Sequence, residues 1–344
     1  MQGGREKVLS VHFGLALDFW STSKPLDSLL DDYVGLLKLA EQYGFNSVWA
    51  GENRPRFAEP GHVPSPLLIL TALARHTRLR LGTGITLLPL WHPLKLAYDG
   101  LILDQISGGR FILGVGVGSP GVMKRYGVPP EEAGSRMDEA LVLLKKLWGG
   151  EEGFEGQHFN VKGNVYPGPI QPGGPPIWVG GKIRGSVQRA AQLGDAWYGA
   201  TQYHLEVVKK QARRYRELLS ASGKDPSEAT VAVNRTTFLA ETDEQARIEG
   251  KPYVSEVLNF YGKMGLIEDN QGNTLDPQQD LFELVGEEIV VVGSPKRCLE
   301  SFKRYHEEAG VNQFNLRISM GNMPLELAQR TVTLLGEEVL PHFL

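Results

Sequence analysis

A single cysteine, Cys298, in 344 residues excludes an intramolecular disulfide and any multi-cysteine zinc or iron–sulfur site. On the helical pattern that follows VVVGSP it reads as a small packed side chain. Long apolar runs are missing too. No stretch of about 18 apolar residues exists to span a bilayer, and the N-terminus MQGGREKVLSVHFGLAL carries no signal-peptide cleavage pattern. The expectation is a soluble, cytoplasmic protein without a membrane partner. Charge of one sign is also scarce: 36 Lys and Arg against 40 Asp and Glu give a net charge of −4 and a pI near 6.1, with no basic or acidic block. That excludes the electrostatic footprint of a nucleic-acid binder. No H-x-x-x-H occurs and the acidic residues do not cluster at ligand spacing, so no metal is expected. A small molecule is the partner left.

What is present is ample material for a core, with 41% hydrophobic and 22% charged residues. Strand-like runs fall at 11–17, 46–51, 79–85, 111–117, 176–181, 196–200, 231–240 and 311–319. Several are apolar throughout rather than alternating, the mark of parallel strands buried on both faces. Helical patterns follow them, such as Leu36, Leu37, Leu39 and Ala40, or Leu141, Leu144, Lys145 and Trp148. Eight strand–helix units favour an α/β fold of the (β/α)8 TIM-barrel type over an open doubly wound sheet with a second domain. The expectation is one barrel domain over 1–344 with two insertions, at about 149–175 and 241–288. The first, rich in Gly and Pro, reads as a hairpin and loop, and the second as helical pieces around the polar loop EDNQGNTLDPQQD. Loops that long in a compact domain are usually functional, and either could cover an active site.

Residues 116–121, Gly-Val-Gly-Ser-Pro-Gly, spell G-x-G-x-x-G after the strand-like Phe111-Ile112-Leu113. As a dinucleotide fingerprint the match is poor. It lies in the fourth unit, and no acidic residue follows on a second strand. Pro120 leaves no clear helix start, with the next helical pattern only from about Ala133. Bare backbone at a barrel strand's C-terminal end, where sites form, reads instead as room for a flat ligand.

The runs LDQISGGRFILGVGVG (103–118), LRLGTGITLLPLWHPLKLA (79–97), PPIWVGGKIRGSVQRAAQLGDAWY (175–198), VVGSPKRCLESF (292–302) and GEEVLPHF (336–343) together resemble the bacterial luciferase-like superfamily of flavin and deazaflavin (F420) oxidoreductases. The resemblance covers nearly the whole chain in order. It implies a barrel that holds a flavin-type ring over the strand ends. Ring-side contacts are implied for Ala16, Ala50, Thr83, Gly84, Ile85, Gly116 and Gly118, with a non-prolyl cis peptide at Gly84–Ile85. The phosphate end maps onto Gly180, Gly181, Lys182, Ile183 and Ser186, where a Gly-rich loop feeds a helix N-terminus.

The chain departs from the family pattern in two places. Asn53 stands where luciferase-like monooxygenases carry a histidine after the second strand, and asparagine cannot exchange a proton near neutral pH. Val117 replaces an arginine that helps bind the phosphate in some flavin-dependent members, which shifts that task to Lys182 and Ser186. Glu52, Asn53, His92 and Arg317 are the candidates for chemistry at the strand ends: Glu52 as a ring anchor or partner of Arg54 or Arg56, and Arg317 as a group reaching ring or substrate. His92, in W-H-P, also has a purely structural reading. Arg136 reads as an ion-pair partner of Glu132 or Glu139. The resemblance implies an FMN-dependent, two-component monooxygenase fed by a separate flavin reductase, acting on a small organic substrate and forming a homodimer. An F420-dependent reductase or dehydrogenase is the alternative, and a non-catalytic flavin-binding protein a third reading.

Overall fold

Eight parallel strands close on themselves in a computed structural model that describes residues 10–19, 22–52 and 65–343. They are β1 (His12–Leu17), β2 (Ser47–Ala50), β3 (Arg80–Thr83), β4 (Phe111–Gly116), β5 (Ile177–Gly180), β6 (Ala196–Gly199), β7 (Thr230–Leu239) and β8 (Gln313–Arg317). Each pairs with its neighbours in sequence, and β8 pairs with both β7 and β1. The result is a (β/α)8 barrel, with strand ends close to those read from hydropathy. No helix among the described residues is long and apolar enough to cross a membrane.

Alternation sorts the strand side chains into two cores. Leu15, Val48, Leu81, Leu113, Val115, Val179, Val231 and Val233 join the helices in one large cluster. Residues of the opposite phase, Ala16, Trp49, Ile112, Trp178, Ala196, Tyr198 and Ala232, form a separate cluster within the barrel. Large faces small around the ring: Trp49 lies opposite Ala16 and Gly82, and Trp178 opposite Gly114 and Ala196. A Cβ on Gly82 would sit 2.2 Å from the Trp49 ring, so this tryptophan fills the interior only because its neighbour is glycine.

The outer helices used below are α1 (Leu26–Gln42), α2 (Pro66–Leu73), α3 (Pro93–Ser107), α4 (Ala133–Trp148), α5 (Arg184–Gln192), α6 (Leu205–Ala221) and α7 (Pro295–Ala309). Their ends follow the local chemistry. In α7, Pro295 takes the first helical position, the Ser294 hydroxyl accepts the Arg297 N–H, and Gly310 ends the helix at φ 63°. Cys298 is buried on this helix, and burial pushes its thiol up and keeps it unreactive.

Two local expectations change. A short helix, Pro120–Arg125, does begin at Pro120: proline suits the first helical position, and the Ser119 hydroxyl accepts the Val122 N–H at 3.4 Å. A short strand, Val291–Gly293, not read from the sequence, extends the sheet beside the end of β7.

The segment 149–175 packs along the outer helices. Its hairpin, Phe154–Glu155 with Asn160–Val161, offers the N–H groups of Gln157, His158 and Phe159 to the Glu139 carboxylate on α4 at 2.8–3.2 Å. Burial alone would raise that carboxyl's pKa, but these donors hold it below the ordinary range. The Asp104 carboxylate on α3 accepts the N–H groups of Ile170 and Gln171. The segment 241–288, with helices Asp243–Lys263 and Leu281–Ile289, takes the other course. It reaches Arg317 at the end of β8 through Tyr261 and Lys182 after β5 through Glu268.

Candidate active site

The C-terminal mouth of the barrel is built around the end of β3. The Gly84–Ile85 peptide is cis, as the resemblance implies. Neighbouring backbone holds it on both sides: Gly84 N–H donates to the Ala50 carbonyl and Glu52 N–H to the Ile85 carbonyl, both at 2.9 Å. The Thr83 hydroxyl donates to the Gly114 carbonyl at 2.7 Å, and the Glu52 carboxylate accepts the Leu87 N–H at 2.6 Å and the Trp91 indole N–H at 3.2 Å. Glu52 and Thr83 therefore brace the platform from below. Ala50 contributes only backbone, because its side chain lies in the strand–helix core, whereas Ala16 faces the barrel interior.

The glycines of LGVGVGSPG first make room for the protein itself. A Cβ on Gly114 would lie 1.9 Å from the Thr83 carbonyl oxygen, and one on Gly116 would lie 2.1 Å from Ile85 Cδ1. Gly180 lies on the other side of Ile85, its Cβ position 3.6 Å from Ile85 Cγ2. Bare backbone on β4 and β5 thus lets Ile85 lie across the mouth as a flat apolar floor. Gly118 has a different reason, a backbone at φ 81°.

Next to that floor is the loop after β5. The Trp197 indole N–H donates to the Gly181 carbonyl at 2.8 Å and fixes the turn, and Gly181 has φ 133° with no space for a Cβ, which would be 2.5 Å from Ser186 Oγ. Ile183 caps α5 with extended backbone, and Ser186 is buried in the first turn. The first N–H groups of a helix have no partner inside it, and its dipole favours an anion there. Lys182 differs from the sequence picture in its partner: its ammonium is paired with the Glu268 carboxylate and stands 5.8 Å above the Tyr203 ring.

The opposite wall is polar. Among the buried side-chain atoms of β6, β7 and β8 without a hydrogen-bond partner are Tyr198 Oη, Asn234 Oδ1, Asn315 Nδ2 and Arg317 Nη1. Tyr198 reaches across the barrel, its hydroxyl 3.0 Å from the Cβ position of Gly84, and burial pushes its phenol up. Arg317 is partly buried beside Asp18, Nε to Oδ2 3.8 Å, and donates to the Tyr261 hydroxyl at 3.3 Å. Burial opposes its charge, but Tyr261 and Asp18 outweigh that and raise its pKa. Asn234 and Asn315 were not read as site residues, although both carry polar side chains in the interior phase of their strands. Tyr261 and Glu268 come from the insert, where no sequence period points at a target.

Of the other candidates, His92 is exposed at the N-cap of α3, its ring edge-on to Phe159 at 5.7 Å. Arg136 has partners other than the expected carboxylates: its guanidinium lies over Phe159 at 5.0 Å and donates to the Pro89 carbonyl. Asn53, Arg54 and Arg56 lie outside the described residues.

A flat floor with a helix N-terminus at one end and unmatched donors and acceptors on the facing wall has a known counterpart. A profile of the luciferase-like monooxygenases matches residues 12–313. The chain belongs to the luciferase-like monooxygenase family. Over 336 residues it is 28% identical to the oxygenase component of the flavin-dependent trigonelline monooxygenase of Acinetobacter baylyi, covering 92% of this chain and 90% of that one. The F420-dependent hydroxymycolic acid dehydrogenase of Mycobacterium tuberculosis is 30% identical over 226 residues, 63% of this chain and 61% of that one. Among solved structures, monooxygenase RslO1 from Streptomyces bottropensis superposes with a TM-score of 0.85 at 28% identity, covering 97% of this chain and 100% of the other. As a luciferase-like protein the chain is an oxidoreductase.

Proposed function

We propose that this protein is the FMN-dependent oxygenase component of a two-component monooxygenase, supplied with reduced flavin by a separate reductase and acting on a small organic substrate. The observation that carries this reading is the pairing of two cations beside the phosphate loop with carboxylates, Arg184 at the first position of α5 being exposed. Lys182 faces Glu268, and Arg189 of α5 is held by Asp138 at 2.6 and 3.0 Å. Such a site suits one phosphate on a helix N-terminus. It suits F420 less, because that cofactor carries carboxylates beyond its phosphate and two carboxylates, Glu268 and Asp138, already hold Lys182 and Arg189 beside this loop. The likeness to a flavin-dependent oxygenase component over nearly the full chain points the same way.

The chain's own residues then divide the work. Backbone N–H groups of the first turn of α5, with Ser186, hold the phosphate, and Ile85 supports the ring between Gly116 and Gly180. When bound, reduced flavin supplies the electrons for activating dioxygen. Tyr261 and the 241–288 insert cover the mouth and keep water out. Tyr198, Asn234, Asn315 and Arg317 offer hydrogen bonds to carbonyl or imide groups of ring or substrate. The Tyr198 phenol stays protonated at neutral pH, so it orients rather than exchanges a proton. Asn53, in place of histidine, is likewise a positioning group.

The test is a fluorescence titration of the purified chain with FMN and with F420. FMN is expected to bind at least about tenfold more tightly, and reduced FMN in the presence of the protein to react with oxygen at a rate unlike that in free solution. Tighter binding of F420 would replace this reading with hydride transfer.

The same reading includes a homodimer. On α3, Tyr98, Ile102 and Ile106 form an exposed apolar stripe at helical spacing, and neighbouring α2 adds the 72% exposed Leu68. A helix apolar on its solvent side is normally covered, and a stripe of this spacing can pack on its own copy about a twofold axis. Ile102→Glu is expected to convert a dimer to a monomer in light scattering without altering the circular dichroism spectrum. A wild type that is monomeric at micromolar concentration would remove the assignment.

A further inference from the structure

Glu268 is tied to the cofactor loop at two points. Its carboxylate pairs with Lys182, and its carbonyl accepts a hydrogen bond from the His204 ring at the start of α6. It belongs to a small turn in the insert, bridged to Thr274. Lys182 lies between Gly181 and Ile183, directly before α5, and both partners of the pair remain partly exposed, at 34% and 27%. An anion held on the first turn of α5 would therefore meet two features of one residue pair: an ammonium that attracts it and a carboxylate that repels it. One positive charge cannot neutralise both a carboxylate and a phosphate that is close to dianionic at neutral pH.

We propose that Glu268 competes with the cofactor's phosphate for Lys182 and so sets how strongly the protein prefers a phosphorylated flavin. The inference rests on the flavin reading above and names a determinant within it. Binding of the phosphate draws Lys182 away from Glu268, leaving the insert attached there by the His204 contact. By linkage, whatever affinity the insert's grip takes from the phosphate, the phosphate takes from the grip. Loading of FMN and closure of the insert are thereby opposed at this corner, which favours exchange of flavin with a reductase over permanent retention. Riboflavin, with the same ring and no phosphate, leaves the pair intact.

The experiment compares FMN with riboflavin by fluorescence quenching in wild type, Glu268→Gln and Lys182→Met, together with hydrogen exchange of residues 265–280. Glu268→Gln keeps the shape and removes the charge. It is expected to raise the preference for FMN over riboflavin about tenfold, a plausible size for deleting a like charge at a partly exposed site, while riboflavin affinity stays within twofold. Lys182→Met is expected to lower the preference. In wild type, FMN should speed exchange in 265–280 relative to riboflavin, and Glu268→Gln should abolish that difference. An unchanged or reduced FMN preference in Glu268→Gln would overturn the proposal, since the carboxylate would then be neutral toward the phosphate or aid its binding. A wild type that binds neither flavin would remove the flavin reading itself, and the inference with it.

Discussion

Gly114→Ala is expected to destabilise the protein by about 3 kcal/mol or more, at the upper end of the usual overpacking cost, and to weaken flavin binding. The added Cβ would fall 1.9 Å from the Thr83 carbonyl oxygen and 3.1 Å from its carbon. Neither side can yield easily. Thr83 is fixed by its hydroxyl on the Gly114 carbonyl and by the next residue, whose N–H donates to Ala50. Gly114 lies in a strand paired on both edges. Relief would have to move the end of β3, and with it the Gly84–Ile85 floor. Gly121→Ala, in the same glycine-rich stretch, is the control. A Cβ there has nothing within 4 Å, so the thermal midpoint should stay or rise slightly. Equal midpoints for the two variants would show that β4 and β3 are not locked together.

That contrast also shows how far the sequence could be read. Strand positions were legible because β4 and β5 are apolar on both faces, and the barrel followed from eight strand–helix units. The tight turn from β5 into α5, proposed above to hold the phosphate, was legible because Gly180, Gly181 and Ser186 are neighbours in the chain. The role of Gly114 and Gly116 was only half legible: bare backbone signalled close approach, but what approaches is Thr83 and Ile85, some 30 residues earlier in the chain. Lys182 read as an anion ligand because its partner, Glu268, lies 86 residues away in an insert without a strong period. The polar wall could have been found in part. Asn234 in VAVNRTT and Asn315 with Arg317 in QFNLR lie on alternate positions of strands whose interior phase should be small or apolar. A polar residue in that phase is a reason to look for a ligand.

Arg235→Met is expected to cost about 3–5 kcal/mol, the range for stripping one partner from a buried charged network, and to loosen the Lys182–Glu268 corner as well. Arg235 is fully buried on β7. Its guanidinium donates to the carbonyls of Asn234 at 2.6 Å, Tyr203 at 3.0 Å and Ala200 at 3.2 Å, and lies 4.5 Å from the centre of the Tyr305 ring. Replacing a buried ion pair with apolar groups can be neutral when both partners go. Here the acceptors are backbone carbonyls, which no side-chain substitution removes, so methionine fills the space and leaves them unpaired. The segment thus released, 200–203, carries Tyr203 under Lys182 and leads into His204, which holds Glu268. Urea unfolding should therefore show a lower midpoint for Arg235→Met. Hydrogen exchange should show faster opening at 200–204 and 265–280, with β1 and α1 unchanged at low denaturant. Arg235→Lys restores charge but not the planar set of donors, so it should recover less than half of the loss. Full recovery by lysine would mean that charge alone, rather than the fan of carbonyl contacts, holds this corner of the barrel.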